Sequence, residues 1–194
     1  VATLAHALAS ARRPDLVLAT GDLVQDETRA GYERFQELLG SLGLPVYCLP
    51  GNHDDPALMT QLLNGDGFQY GGRARFGDWG MVLLDTHVPG RPHGRLVRAE
   101  LDRLDADLRA FHGLPVLVCL HHPPVPVGSA WLDGVGLTNG AAFLEVIDRH
   151  ANVRCVLAGH VHQEFDLQRG PVRMLASPST CHPTCRAGAS IARS

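Results

Sequence analysis

Short, nearly unbroken apolar runs alternate with amphipathic stretches along this chain, and that alternation narrows its fold more than any other feature. "PDLVLAT" (residues 14–20), "LPVYCL" (44–49), "LPVLVCL" (114–120) and "VRCVLAG" (153–159) are short and almost wholly apolar. They read as strands buried on both faces. Two further β-like stretches occupy residues 68–76 and 79–85. Between them, "TRAGYERFQELLGSLG" (28–43) puts Tyr32, Phe35, Leu38, Leu39 and Leu42 on one helical face, with Gly43 as its C-terminal cap. Asp55 before Pro56 is an N-cap with proline at the first helical position, and opens a short helix through residue 63. "RLVRAELDRLDADLRAF" (95–111) is an amphipathic helix, and "TNGAAFLEVIDRH" (138–150) is a helix capped by Thr138. Buried strands alternating with helices imply an α/β fold with a mainly parallel sheet covered on both faces.

A chain of 194 residues suits one such domain. Its net charge of −3 is mixed along the sequence, without the basic stripe that would neutralise a nucleic-acid backbone, so no nucleic acid is expected as partner. The longest apolar runs are too short to cross a bilayer, and no secretory signal precedes them, so no membrane association is expected. Cys48, Cys119 and Cys155 sit inside apolar runs as small buried hydrophobes, which fits a reducing, cytoplasmic setting.

The chemistry lies where the strands end. The first runs into "GDLVQD", the second into "GNHDD", a later one into "HHPP" and the next into "GHVH". In an open α/β sheet the loops at the carboxyl ends of strands gather along one edge. Asp22, Asn52, His53, His121, His122, His160 and His162 therefore converge, and four such coincidences at four strand ends point to a metal site. Carboxylate, amide oxygen and imidazole without thiolate suit Mn²⁺, Fe²⁺ or Zn²⁺. If "GHVH" is extended, His160 and His162 share one side and reach two adjacent ions. Asp22, with two oxygens, is the natural bridge between ions about 3.5–4 Å apart. Glycine before Asp22, Asn52 and His160 lets the backbone turn tightly and approach the ions.

In this order, "GDLVQD", "GNHD", "HHPP" and "GHVH" resemble the motifs of the calcineurin-like metallophosphoesterases, over roughly residues 2–179. "PDLVLATGDLVQD", "GYERFQELL", "LPVYCLPGNHD" and "HHPPVPVGSAWLDGVGLTN" narrow the likeness to the bacterial class III cyclic-nucleotide phosphodiesterases. The resemblance implies a layered αββα sandwich, two divalent ions, and hydrolysis of a 3′,5′-cyclic nucleotide, foremost cyclic AMP, by a metal-bridged hydroxide. It makes Asp22 the bridging carboxylate and His162 a ligand of the first metal. Asn52, His121 and His160 become ligands of the second; His121 is taken over His122 because the family motif is His-x-Pro. His53 would contact the phosphate and protonate the leaving oxygen, with Asp54 orienting it. His122 would lie on the substrate side, and Trp131, in the loop over residues 125–137, would shield a base or pack the loop.

Two departures from the family stand out. Its Asp-x-His motif, which supplies two ligands to the first metal, precedes the first helix, whereas Val1 already lies inside that helix ("VATLAHALASARRPD", 1–15). His6 is poorly placed to substitute, so the first metal site is expected to be incomplete and the sheet to lack its first strand. At the other end "SPSTC" (177–181) gives way to "HPTCRAGASIARS" (182–194), without strand period or family likeness. The domain is therefore taken as residues 1–180, short of the family's last strands, with a disordered or non-native tail at 181–194. There Cys181, His182 and Cys185 would form only an incomplete metal clip. The residues leave open a broader phosphodiesterase or phosphomonoesterase, and a chain that binds metal without turnover. Oligomeric state is not legible.

Overall fold

In the computed structural model, which describes residue 9 and residues 13–180, the alternation of strands and helices becomes two sheets rather than one. β1 (Val17–Ala19), β2 (Val46–Cys48) and β3 (Phe68–Tyr70) form a three-stranded, wholly parallel sheet. The second sheet holds β4 (Gly72–Phe76), β5 (Trp79–Leu83), β6 (Val116–Leu120), β7 (Val153–Ala158), β8 (Phe165–Arg169) and β9 (Val172–Ala176), in the order β4-β5-β6-β7-β9-β8. Its centre is parallel, and antiparallel β4 and β8 close its edges. The stretch at 68–76, read as one β-like segment, is divided between the sheets. Gly71 and Gly72, at φ +59° and +73°, make the handover in a conformation that side-chain-bearing residues seldom adopt.

Helices cover one face of each sheet. α1 (Arg29–Gly40) starts at Thr28, whose Oγ1 accepts from Gly31 N at 3.1 Å, and α2 (Pro56–Leu62) starts at Asp55, which accepts from Ala57 N and Leu58 N. Tyr32, Leu39, Met59 and Leu63 pack them onto Val46, Cys48 and Phe68 of the small sheet. α3 (Arg98–Ala110) and α5 (Gly140–Asp148) cover the large sheet, with Leu104, Leu108, Phe143 and Ile147 against Val82, Val118 and Val156. A short α4 (Ala130–Asp133) lies in the loop after β6. The other faces meet each other: Leu18, Tyr47 and Leu49 pack with Leu83, Leu117, Cys119 and Leu157. Alternate residues of β6 thus face helices (Val116, Val118, Leu120) and the opposite sheet (Leu117, Cys119), so both faces must be apolar. That is the αββα layering the family likeness implies.

Several local readings change. Leu38, placed on the buried face of α1, is 36% exposed. α1 ends at Gly40 with Ser41 as its cap, and Gly43, at φ +63°, follows two residues later with its N–H on Gly40 O. Asn139, not Thr138, occupies the N-cap of α5; Thr138 Oγ1 instead donates to Gly94 O at 2.9 Å. The β8–β9 hairpin lies beyond the last strand read from the sequence. Cys48 and Cys119 are buried, Cys155 is half-buried, and all three thiols are free. Burial pushes those of Cys48 and Cys119 up to about 12, which leaves them unreactive. Among the described residues no helix is long and apolar enough to cross a membrane. His6 and the tail at 181–194 lie outside the described residues, as does most of the helix expected over 1–15.

Candidate metal centre

Parallel strands carry their following loops to one edge, and here the loops after β1, β2, β6 and β7 meet across the seam between the two sheets. Contacts between the loops bind them. His121, just past β6, places Nδ1 2.7 Å from Thr20 O, and its Nε2 stands 3.3 Å from Asp22 Oδ2 and 3.1 Å from His160 Nδ1. His53 N donates to Asp22 Oδ1 at 3.0 Å. The glycines before the motifs act between loops: a Cβ on Gly51 would lie 2.1 Å from Asp22 Oδ1, and one on Gly159 would lie 2.6 Å from Thr20 O. Only hydrogen lets these strand ends close to such distances.

Their backbone is strained as well as crowded. Asp22, His160 and His162 have φ of +55°, +67° and +50°, a left-handed conformation uncommon for residues with side chains. "GHVH" is therefore not the extended segment the spacing suggested. It turns at both histidines, and its own backbone sets where the two rings lie.

The hydrogen-bond inventory defines what belongs here. Thr20 O can only accept, so His121 Nδ1 carries a proton there, and the ring turns its other nitrogen, Nε2, toward Asp22 and His160. His160 Nδ1 can donate to that nitrogen, which leaves a lone pair at His160 Nε2. That atom is buried without a partner, and so is Asn52 Oδ1. Burial works against ionisation of Asp22, but the neighbouring His121 ring and the His53 N–H hold its pKa well below the ordinary carboxylate range. Burial and His121 push His160 down to about 4, so it is neutral near pH 7. Beside the ionised Asp22 carboxylate, the atoms left unmatched, Asn52 Oδ1 and His160 Nε2, form an acceptor-only constellation. A divalent cation satisfies it; water alone satisfies it poorly.

His122 joins the cluster more closely than its sequence position suggested. The ligand atoms of His121, His122 and His160 all lie within 4.8 Å of one another. His122 is fully buried, with Nδ1 2.8 Å from Thr86 Oγ1 and Nε2 unpartnered. Burial, with His121 and His160 beside it, pushes its pKa down to about 2. A Cβ on Gly94 would meet its ring at 2.3 Å, so the loop after β5 closes directly over it.

Asp54, expected to orient His53, has another task. It is buried, and its carboxylate accepts from Leu23 N (3.1 Å), Gly51 N (2.9 Å) and Tyr32 Oη (3.0 Å) rather than from the His53 ring. It fixes the first two motif loops to each other and to α1. His53 and His162 are exposed, as is Trp131 at 76%, which removes loop packing as a reason for its indole. Thr20, Tyr32, Thr86 and Gly94 escaped the sequence reading. Thr20 and Thr86 had a usable signal, since they too follow the carboxyl end of a strand.

The sequence pattern of the calcineurin-like phosphoesterase family matches residues 1–164. A 3′,5′-cyclic-nucleotide phosphodiesterase of Nostoc sp. is 44% identical over 168 residues, covering 87% of this chain and 63% of that protein. The 3′,5′-cyclic adenosine monophosphate phosphodiesterase CpdA of Pseudomonas aeruginosa is 43% identical over 169 residues, covering 87% and 62%. The chain thus spans less than two thirds of these relatives' length. A crystal structure of a dimetal phosphatase from Danio rerio superposes with a TM-score of 0.69 at 18% identity, over 86% of this chain and 73% of that one. At that identity the likeness is one of fold.

Proposed function

Because the chain belongs to the calcineurin-like phosphoesterase family, we propose that it is a metal-dependent hydrolase of 3′,5′-cyclic nucleotides, cyclic AMP foremost. The observation that carries this reading is the acceptor-only cluster at the seam, with Asn52 Oδ1 and His160 Nε2 buried and unpartnered beside ionised Asp22. The relatives' names supply the nucleotide.

Asp22, Asn52, His121 and His160 hold one divalent ion, of manganese, iron or zinc by the donor set. Among the described residues, Asp22 and His162 offer a second ion two ligands. When bound, such ions supply positive charge to phosphoryl oxygens and water acidic enough to attack at neutral pH. The chain's own residues do the rest. Thr20 O holds His121 in one tautomer, Asp54 holds the two acidic loops in register, and Thr86 steadies His122 on the substrate side. Exposed His53 donates a proton to the departing ribose oxygen. Trp131 offers its face to substrate. The partner is a small molecule, and the free, buried cysteines favour a cytoplasmic setting.

The test is hydrolysis of cyclic AMP and of bis(p-nitrophenyl) phosphate with added Mn²⁺ and after chelation. Metal-dependent cleavage of both, with cyclic AMP the better substrate by kcat/KM, is the expected result. Cleavage that survives complete chelation sinks the reading. Metal analysis after dialysis should approach one ion per chain, the two sites differing by several decades in affinity, since even a supporting residue is worth about 10–100-fold.

A further inference from the structure

The loop from His122 to α5 encloses a second feature: a cavity of about 160 Å³ walled by Pro124, Pro126, Val127, Leu132 and Leu137, with Asp133 at its mouth. We propose that this cavity receives the base of the nucleotide ester, and that Asp133 selects an adenine by accepting a hydrogen bond from its exocyclic amino group. The inference rests on the nucleotide reading above.

The chain ties the cavity to the metal centre. Pro123, the residue directly after His122, lines it, and so does Leu137 on a neighbouring segment. Leu137 is bridged to Gly94, the residue packed on the His122 ring, and Leu137 N donates to Pro123 O at 3.0 Å. The recess therefore lies one residue along the chain from His122, with room for one flat ring system.

Six of the nine lining residues offer the recess no free N–H. Pro123, Pro124 and Pro126 carry no N–H. Those of Val127, Asp133 and Leu137 are already bonded within the loop, to Asp133 Oδ1 (2.7 Å), Ser129 O (2.8 Å) and Pro123 O (3.0 Å). The second oxygen of Asp133 is left for a guest. A recess of this kind favours a ring edge bearing an N–H donor. Guanine pairs best with both oxygens of a carboxylate, and here Val127 holds one of them. Adenine, with a single amino group, needs only the other.

The decisive measurement is equilibrium binding of 5′-AMP and of purine riboside 5′-monophosphate, which differs only in lacking the 6-amino group, to the chain with Mn²⁺. AMP should bind about tenfold more tightly, the worth of one hydrogen bond to a charged acceptor. In Asp133→Asn the amide oxygen can still accept from Val127 N, while its NH₂ faces the cavity. The ratio should then fall to one or invert, which a merely structural role would not produce. Equal binding of both nucleotides to the unaltered chain, or a ratio unchanged by Asp133→Asn, overturns the inference. Binding needs no turnover, so this outcome is separate from the hydrolysis test: a chain that cleaves the aryl diester yet ignores the amino group keeps its function and loses its base pocket.

Discussion

The two ends of the paired sheets treat their polar groups in opposite ways. At the amino ends of β6 and β7 lies a cavity of about 660 Å³ beside His150, Arg149 and Asn152. There every one of these groups has a protein partner. His150 Nε2 sits 2.7 Å from Asp105 Oδ1, Arg149 and Arg109 reach the same carboxylate, and Asn152 Nδ2 donates to Leu108 O and Phe111 O. At the carboxyl ends, in the loops after β2, β5, β6 and β7, lie Asn52 Oδ1, His93 Nδ1, His122 Nε2 and His160 Nε2, buried without one. The larger cavity is at the end that needs nothing. What marks the chemistry is unmet hydrogen-bonding demand, which folding alone does not tolerate.

The contrast is broken most directly by deleting one imidazole from each end. His121→Ala should abolish metal retention and reduce hydrolysis to background. His150→Ala should leave metal content intact and lower only the melting temperature. Equal metal loss in both would erase the distinction. His53→Ala should lower kcat for cyclic AMP about 10²–10⁴-fold, the usual worth of a general acid, and far less for an aryl diester whose leaving group needs no proton. Equal losses would leave His53 only a binding role.

Thr86→Val tests whether the buried hydroxyl acts through His122 Nδ1. A loss of about tenfold in activity with metal content unchanged is expected, the worth of one hydrogen bond that positions a substrate-side ring. A stability change alone would assign Thr86 to packing. The smallest effect belongs to the satisfied end. His150, then Arg149 and Arg109, hold the Asp105 carboxyl below its ordinary pKa. A depressed folded value means that stability is fully present above the unfolded pKa of about 4 and is lost as pH falls through the folded value. Melting temperature followed downward from pH 5 should therefore drop less steeply in Asp105→Asn. Parallel curves would show that the cluster contributes nothing measurable.

Sequence patterns carried the motifs because each is local: the residue that chelates and the strand that positions it are neighbours in the chain. They carried the partners poorly. His121 leans on a carbonyl 101 residues away, and a carbonyl has no residue identity to recognise. Tyr32 read as one more apolar position on a helical face, yet its hydroxyl accepts from Asp55 N and donates to Asp54. The residues implied one covered sheet. The division into two became legible only through the family likeness, because a face buried by a sheet and one buried by helices have the same apolar composition. The extended reading of "GHVH" failed for a related reason: its two left-handed residues, His160 and His162, follow a glycine pressed against Thr20 O, a tertiary contact rather than a local preference.

The seam itself has a mechanical consequence. Asp22 and Asn52 ride on the three-stranded sheet, whereas His121 and His160 ride on the six-stranded one, so any ion they share rivets two slabs that otherwise touch through side chains such as Leu18, Leu49, Leu83 and Cys119. Sliding one slab over the other shears the coordination sphere first, and the free energy of holding the ion adds directly to the resistance against that slip. Chelation should accordingly quicken amide exchange along β1 and β6, the two sides of the joint, while α3 and α5 on the outer skin keep their protection.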